Sequence, residues 1–318
     1  MHTCEPALLR SAAPAKINLF LEVLGRRADG YHELVTCMAL LDWADELTFM
    51  PADQLYLNCD DSSLPRDANN LVMRAAIALK NQTQTKHGAA ISLTKRIPSP
   101  AGLGGGSSDA AATLRGLNQL WNTGLSDSQM MALAAQIGSD VPFFLAGSAA
   151  WCRGRGEQVT PFKIGISIPI LVVCPLVGLG TAAVYQSLQA PPLDVGKSQA
   201  RSESSMIEAL RTSSLEAIGA QLFNRLQSPA ERCLPLIGEL RQLFENAARQ
   251  GLCCSSLMSG SGSSYFAVCR SRQETQQLAR HVQQRCDVGV RLHGMGTDEP
   301  RDGPPERTLR LYITEAFL

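Results

Sequence analysis

What the 318 residues lack narrows the field first. There is no charge excess of either sign: 29 basic and 29 acidic residues leave a formal net charge of zero. Binders of nucleic acid or of acidic membrane surfaces carry a basic excess, so neither partner is expected. Nor is there a long apolar run. The most apolar stretch, residues 164–179, is short and interrupted by Pro169, Pro175 and glycines, too broken for a bilayer span. The N-terminal MHTCEPALLRSAAPAK has no basic segment followed by an apolar one, and no secretory signal is expected. Ten cysteines form no C-x-x-C, their only tight pair is Cys253-Cys254, and the five histidines are equally dispersed. Those spacings fit neither a disulfide framework nor a zinc cage. Free thiols in a reducing cytoplasm, with no protein metal site, are the expectation. There is no internal repeat. What is present, 45% hydrophobic and 18% charged residues, is the composition of one large or two ordinary globular domains.

Period-two alternation predicts a strand over residues 15–24. It places Ile17, Leu19, Leu21 and Val23 on one face and Lys16, Asn18, Phe20 and Glu22 on the other. Shorter strands are predicted at 46–49 and 55–58, a helix at 70–80, a strand at 89–94 and a helix at 107–121. Ser126 reads as the N-cap of the next helix and Gly138 as its C′ glycine. A hairpin-like segment at 149–159 precedes a buried strand at 168–174, and a domain boundary is expected near residue 165. The second half alternates helices (181–188, 204–210, 230–250, 273–286) with strands (254–258, 265–269, 288–293), an α+β pattern. Residues 189–203 read as a mobile loop, 298–306 as a linker, and TLRLYIT near the end as a last edge strand.

The densest chemical signal is GLGGGSSDA at 102–110. Four glycines in five positions bare the backbone, and an apolar helical pattern follows at once. A helix start offers unpaired N–H groups and partial positive charge, which suits phosphate. No lysine follows the glycines as a Walker loop requires, and Ser107 stands where G-x-G-x-x-G needs its last glycine. The segment therefore fits neither common nucleotide loop. Lys16 and Asn18 share a strand face, Tyr31-His32 forms an aromatic-imidazole pair, and Asp140 follows the helix-ending Gly138. Each alone also reads as a solvated charge, turn packing or a turn residue. SGSGSS at 259–264 joins two predicted strands and by itself reads as a tight hairpin.

In order, PAKINLFL, GLGGGSSDAA and MSGSGSSYFAV resemble the three motifs of the galactokinase, homoserine, mevalonate and phosphomevalonate kinase superfamily. GYH at 30–32 and DVPFF at 140–144 resemble the branch that acts on a cytidine-bearing polyol; NNLVMRAA, LTKRIP and GSDVPFFL add further matches. The resemblance implies an α+β, two-domain small-molecule kinase fold. Residues 1–165 would form an ATP- and substrate-binding domain like domain 2 of ribosomal protein S5, and 166–318 a ferredoxin-like domain completing the cleft. It implies transfer of the ATP γ-phosphate to the 2-hydroxyl of 4-diphosphocytidyl-2-C-methyl-D-erythritol, with Mg²⁺ carried by ATP. The partner is thus a small molecule, and the enzyme is expected in the cytoplasm as a monomer or weak homodimer.

The same resemblance distributes roles. Asp140 would accept the hydroxyl proton, and Lys16 would hold that carboxylate ionised and stabilise charge on the transferred group. Asn18 would orient substrate hydroxyls, His32 would hold cytosine, and Tyr31 and Tyr185 would stack on it, with Thr181 capping the short helix that carries Tyr185. Pro98, Ser99, Pro100, Ala101, Gly102, Leu103, Gly104, Gly105, Gly106, Ser107 and Ser108 would wrap the ATP phosphates, and Asn70, Lys95 and Arg96 would lie toward adenine. Pro98-Ser99-Pro100-Ala101 departs from the usual Pro-Met-Gly pattern. The second proline restricts φ and removes one amide donor from the loop. Two other readings, mevalonate or homoserine kinase and a non-catalytic nucleotide sensor, are opposed by GYH and Tyr185 in the first case and by the joint presence of Lys16 and Asp140 in the second.

Overall fold

The computed structural model describes residues 8–285, 290–293 and 309–318. Its spine is an antiparallel hairpin of two long strands, β1 (Leu9–Arg26) and β2 (His32–Ala52), in register from Arg26 opposite His32 to Leu9 opposite Phe49. Then come β3 (Leu55–Cys59), α1 (Leu71–Thr83), β4 (Gly88–Thr94), α2 (Gly105–Leu120), α3 (Asp127–Ile137), α4 (Val141–Ala146), β5 (Ala149–Gly154) and β6 (Gln158–Phe162). The chain continues through β7 (Ser167–Pro175), α5 (Thr181–Leu188), α6 (Leu193–Gln199), α7 (Ser204–Thr212), α8 (Leu215–Gln221) and β8 (Phe223–Asn224). It closes with α9 (Gln227–Cys233), α10 (Pro235–Arg249), β9 (Ser255–Met258), β10 (Tyr265–Val268), α11 (Arg272–Arg285), β11 (Val290–His293) and β12 (Leu309–Phe317).

The described strands share one sheet with the order β3-β4-β2-β12-β7-β10-β9. The free edge of β2 meets three partners in turn: β5 over 34–39, β12 at Leu40 and Leu41, and β4 over 46–52. Three cores fill the layers. Phe49, Ile91 and Leu93 of the sheet pack with Leu79, Leu114 and Leu133 of the first-half helices. On β7, Ile168, Ile170 and Val172 enter a core with Met206 and Leu210 of α7, while Leu171 and Val173 enter one with Leu240 and Phe244 of α10. A strand buried on both faces reads as a continuous apolar run, which is why residues 168–174 were legible.

Local signals set several boundaries. Asn70 caps α1 through its Oδ1, which accepts from Val72 N at 2.9 Å. Ser126 and Gln129 form a capping box on α3. Gly138 ends α3, but in extended backbone (φ −173°) rather than the left-handed form a C′ glycine usually takes.

Other expectations are corrected. The alternation in β1 is broken by a bulge between Asn18 and Phe20, so Phe20 joins Ile17 and Leu19 in one core while Leu21 and Val23 face another. The predicted strand at 46–49 is only the end of β2, whose first half lacks clean alternation because residues on both its faces are buried. Part of the expected mobile loop 189–203 is α6, bridged to β1 by Arg26 and Pro192. The single helix expected at 230–250 is two, broken where Leu234 takes extended backbone before Pro235. TLRLYIT is no edge: β12 lies between β2 and β7 and joins the two halves of the sheet. The predicted linker 298–306 lies outside the described residues. Among the described residues no helix is long and apolar enough to cross a membrane.

Candidate active site

The β1–β2 spine, the start of α2, the start of α4, α5 and the β9–β10 turn converge on one cleft of about 1100 Å³. Lys16 forms part of its floor. Its backbone N–H donates to Leu103 O at 2.9 Å, tying β1 to the glycine loop. Its Nζ donates to Asn18 Oδ1 at 2.6 Å and to Gly102 O at 2.8 Å, and stands 4.0 Å from Asp140 Oδ2. Asn18 is fixed in turn, donating through Nδ2 to Thr36 Oγ1 at 2.8 Å, while Thr36 donates to Phe20 O at 2.7 Å. Burial pulls the Lys16 ammonium below the ordinary lysine range, and the Asp140 charge works against that fall. Asp140 precedes α4 but makes no side-chain capping bond, so its carboxylate is aimed at the cleft rather than used by the helix.

The glycine loop is shaped by close approach. Gly102 (φ +74°) and Gly104 (φ +73°) adopt left-handed backbone. A Cβ on Gly102 would lie 2.2 Å from Ser259 O, and one on Gly104 would lie 2.8 Å from the Phe144 ring. The β9–β10 turn closes the other side: Ser259 Oγ donates to Gly102 O at 3.0 Å and Ser264 N to Ala101 O at 3.1 Å. SGSGSS is therefore a hairpin, and Gly260, Ser261 and Gly262 also line the cleft. Pro100 packs so tightly on Gly178 that a Cβ there would meet its ring at 2.5 Å.

Sixteen of the residues singled out from sequence line this cleft: Lys16, Asn18, Tyr31, His32, Pro98, Ser99, Pro100, Ala101, Gly102, Gly104, Gly105, Gly106, Ser107, Asp140, Thr181 and Tyr185. Four do not. Leu103 and Ser108 are buried behind the loop, and Asn70 is occupied as the α1 cap. Lys95 bridges two buried carboxylates, Asp45 and Asp109, the latter at 2.8 Å. Burial opposes its charge but the two acids outweigh it, leaving Lys95 above its ordinary range, whereas burial pushes Asp109 up to about 7 against the pull of Lys95. Thr181 is the first residue of α5 rather than its cap, which is Gly180, and its hydroxyl meets Ser261 Oγ at 3.0 Å.

At the far end His32 packs on Tyr185 with centroids 4.8 Å apart, and burial together with Arg26 depresses the imidazole's pKa. Tyr31 is 53% exposed beside them. Sequence reading missed Thr36, Asp45 and Arg155. The first two sit inside β2, where nothing local marks a polar residue as buried, and Arg155 sits in a turn whose composition reads as solvated.

In this cleft a glycine-rich helix start meets a lysine–aspartate pair, and comparison with known proteins gives the class. GHMP kinases N terminal domain matches residues 70–148 and GHMP kinases C terminal matches 206–288. A 4-diphosphocytidyl-2-C-methyl-D-erythritol kinase of Geobacillus sp. (strain WCH70) is 38% identical, over 89% of this chain and 96% of the relative. A crystal structure of 4-(cytidine 5'-diphospho)-2C-methyl-D-erythritol kinase superposes with a TM-score of 0.72 at 31% identity, covering 97% of this chain and 99% of that one. A homoserine kinase from Cytophaga hutchinsonii ATCC 33406 shares the fold, with a TM-score of 0.70 at 19% identity over 89% of this chain and 92% of that one. The chain is a GHMP kinase. Within that class it belongs to the family of 4-diphosphocytidyl-2-C-methyl-D-erythritol kinases.

Proposed function

We propose that this chain transfers the γ-phosphate of ATP to the 2-hydroxyl of 4-diphosphocytidyl-2-C-methyl-D-erythritol, in the non-mevalonate route to isoprenoid precursors. The observation that carries the reading is Lys16 Nζ held 4.0 Å from the Asp140 carboxylate, beside the glycine loop that opens α2. Phosphoryl transfer asks for in-line placement and charge stabilisation rather than covalent chemistry. Asp140 takes the proton of the 2-hydroxyl as that oxygen bonds to Pγ and the bond from Pγ to the ADP oxygen breaks. Lys16, already fixed by Asn18 and Gly102 O, turns its remaining donor to the charge that develops on the transferred group.

The first amides of α2, from Gly105 to Ser107, have no carbonyl partner inside the helix and suit the ATP phosphates. Mg²⁺ arrives with ATP, and phosphate oxygens and water supply most of its ligands. Near the start of α2, Ser108 Oγ and Asp109 Oδ1 are buried with no hydrogen-bond partner among the described residues. Asn18 orients the acceptor polyol, and His32 with Tyr31 and Tyr185 holds the cytosine. The depressed His32 pKa favours a neutral imidazole at pH 7, able to donate from one nitrogen and accept at the other.

Two domains meeting near residue 165, the first like domain 2 of ribosomal protein S5 and the second ferredoxin-like, suit family matches that fall on either side of that point. Eight described cysteines, all free, suit a cytoplasmic enzyme, working as a monomer or weak homodimer. Phosphorus NMR of the product tests the regiochemistry. The carbon bearing the 2-hydroxyl carries a methyl group and no hydrogen, so the new phosphomonoester should show no coupling to a carbinol proton. A proton-coupled signal would place the phosphate on another hydroxyl.

A further inference from the structure

The turn between β5 and β6, RGRGE at 153–157, belongs to none of the motifs above, yet Arg155 and Gly156 both reach the cleft. The turn is tied down: Gly156 N donates to Arg153 O at 3.1 Å, and Arg155 N donates to Glu157 Oε2 at 2.6 Å. Gly156 (φ +114°) sits close to the transfer centre, and a Cβ on it would stand 3.6 Å from Asp140 Oδ1. The next side chain back, Arg155, lies over the ring of Tyr31 with its guanidinium carbon 4.8 Å from the centroid. One short turn therefore connects the carboxylate proposed to activate the acceptor hydroxyl with an aromatic ring proposed to hold the base.

Among the described residues the other polar contacts of this guanidinium are long: Nη2 to Ala135 O at 3.5 Å and Nε to the Glu157 carboxylate at 3.9 Å. Stacking on a ring engages a guanidinium's face and leaves its N–H edge for ligands in its plane. The side chain is 28% exposed, shielded enough to be held and open enough to be reached. Lys16, the cation beside Asp140, is already bound to Asn18 and Gly102 O, and Arg26 stands by His32 at the far end.

An acceptor in which a diphosphate joins a nucleoside to a polyol has to lay that diphosphate between its two ends. A planar guanidinium at that point matches paired phosphate oxygens. Building on the function proposed above, we propose that Arg155, held over the Tyr31 ring, is a specificity residue that grips the diphosphate bridge of the acceptor.

Arg155→Ala and Arg155→Lys test this, with steady-state kinetics and with calorimetric titration of CDP and of cytidine. Arg155→Ala should raise the acceptor KM about tenfold or more, the scale of a charged hydrogen bond, with kcat and the ATP KM within about twofold. Affinity for CDP should fall by a similar factor while that for cytidine hardly changes. Arg155→Lys should recover only part of the loss, since it keeps the charge without the fork. An unchanged ATP KM also shows that the variant has kept its fold. An equal loss for cytidine and CDP would make Arg155 a support for Tyr31 and overturn the proposal. So would a rise in the ATP KM alone, or an unchanged acceptor KM. A wild-type enzyme that binds CDP through Arg155 but does not phosphorylate the acceptor would instead defeat the proposed function, which separates the two failures.

Discussion

At the scale of single residues, the site sets a buried lysine beside a carboxylate open to the cleft. Asp140→Asn keeps the shape of the side chain but removes its ability to take a proton. It should lower kcat by about 10²-fold or more with substrate and ATP KM little changed. Steady-state kinetics on the folded variant decides, and near-normal turnover would remove Asp140 from the mechanism. Behind the glycine loop, Lys95 serves two carboxylates at once, so one negative charge there is uncompensated, and Asp109 is pushed up to about 7. The folded state then holds a proton that the unfolded chain releases near pH 4. Its contribution to stability is whole below that pH and is lost as pH rises through about 7. Denaturant unfolding of wild type and Asp109→Asn should show wild type losing ground between about pH 4 and 7 and levelling off above that. A constant difference across that range would mean that Asp109 is ionised throughout.

At the scale of elements, the glycine loop before α2 is held by backbone contacts that only glycine permits. Gly102→Ala combines left-handed strain with a Cβ 2.2 Å from Ser259 O, so the loop must part from the β9–β10 turn. The expected result is a raised ATP KM and a stability loss of about 1–3 kcal/mol. Gly124→Ala is the control. At φ +69° with nothing within 4 Å of the new Cβ, it carries the strain without the collision and should leave the ATP KM alone. Elements with local signals were legible from sequence: α1 from its helical pattern after Asn70, α3 from its Ser126 cap, and β7 from an apolar run buried on both faces. Elements defined by distant partners were not. α6 carries little apolar patterning and reveals itself only where it lies along β1, and the bulge in β1 follows from its pairing with β2 rather than from any residue near Asn18. The site divides the same way. Lys16, the glycines and Asp140 sit in motifs, whereas Thr36, Asp45 and Arg155 are brought in by strands and turns that bear no motif.

At the scale of the whole molecule, β12 joins the two halves through β2 and β7, and a buried ion pair fastens them again. Glu22, fully buried on β1, accepts from Arg225 Nε and Nη2 at 2.6 and 2.7 Å and from the Arg201 backbone N–H at 2.7 Å. Arg225→Met would strand that carboxylate and should cost about 3 kcal/mol, the low end for a broken buried pair because Arg225 itself is 40% exposed. Chemical denaturation of Arg225→Met, and of Arg225→Met with Glu22→Met, checks this. The double variant should recover part of the loss, and a single variant as stable as wild type would show that the pair holds nothing together. The most direct measurement is ADP release with 4-diphosphocytidyl-2-C-methyl-D-erythritol, mevalonate and homoserine offered side by side under saturating Mg-ATP. Turnover with the cytidine compound and background rates with the other two are expected; turnover with mevalonate or homoserine and none with the cytidine compound would contradict the proposed function.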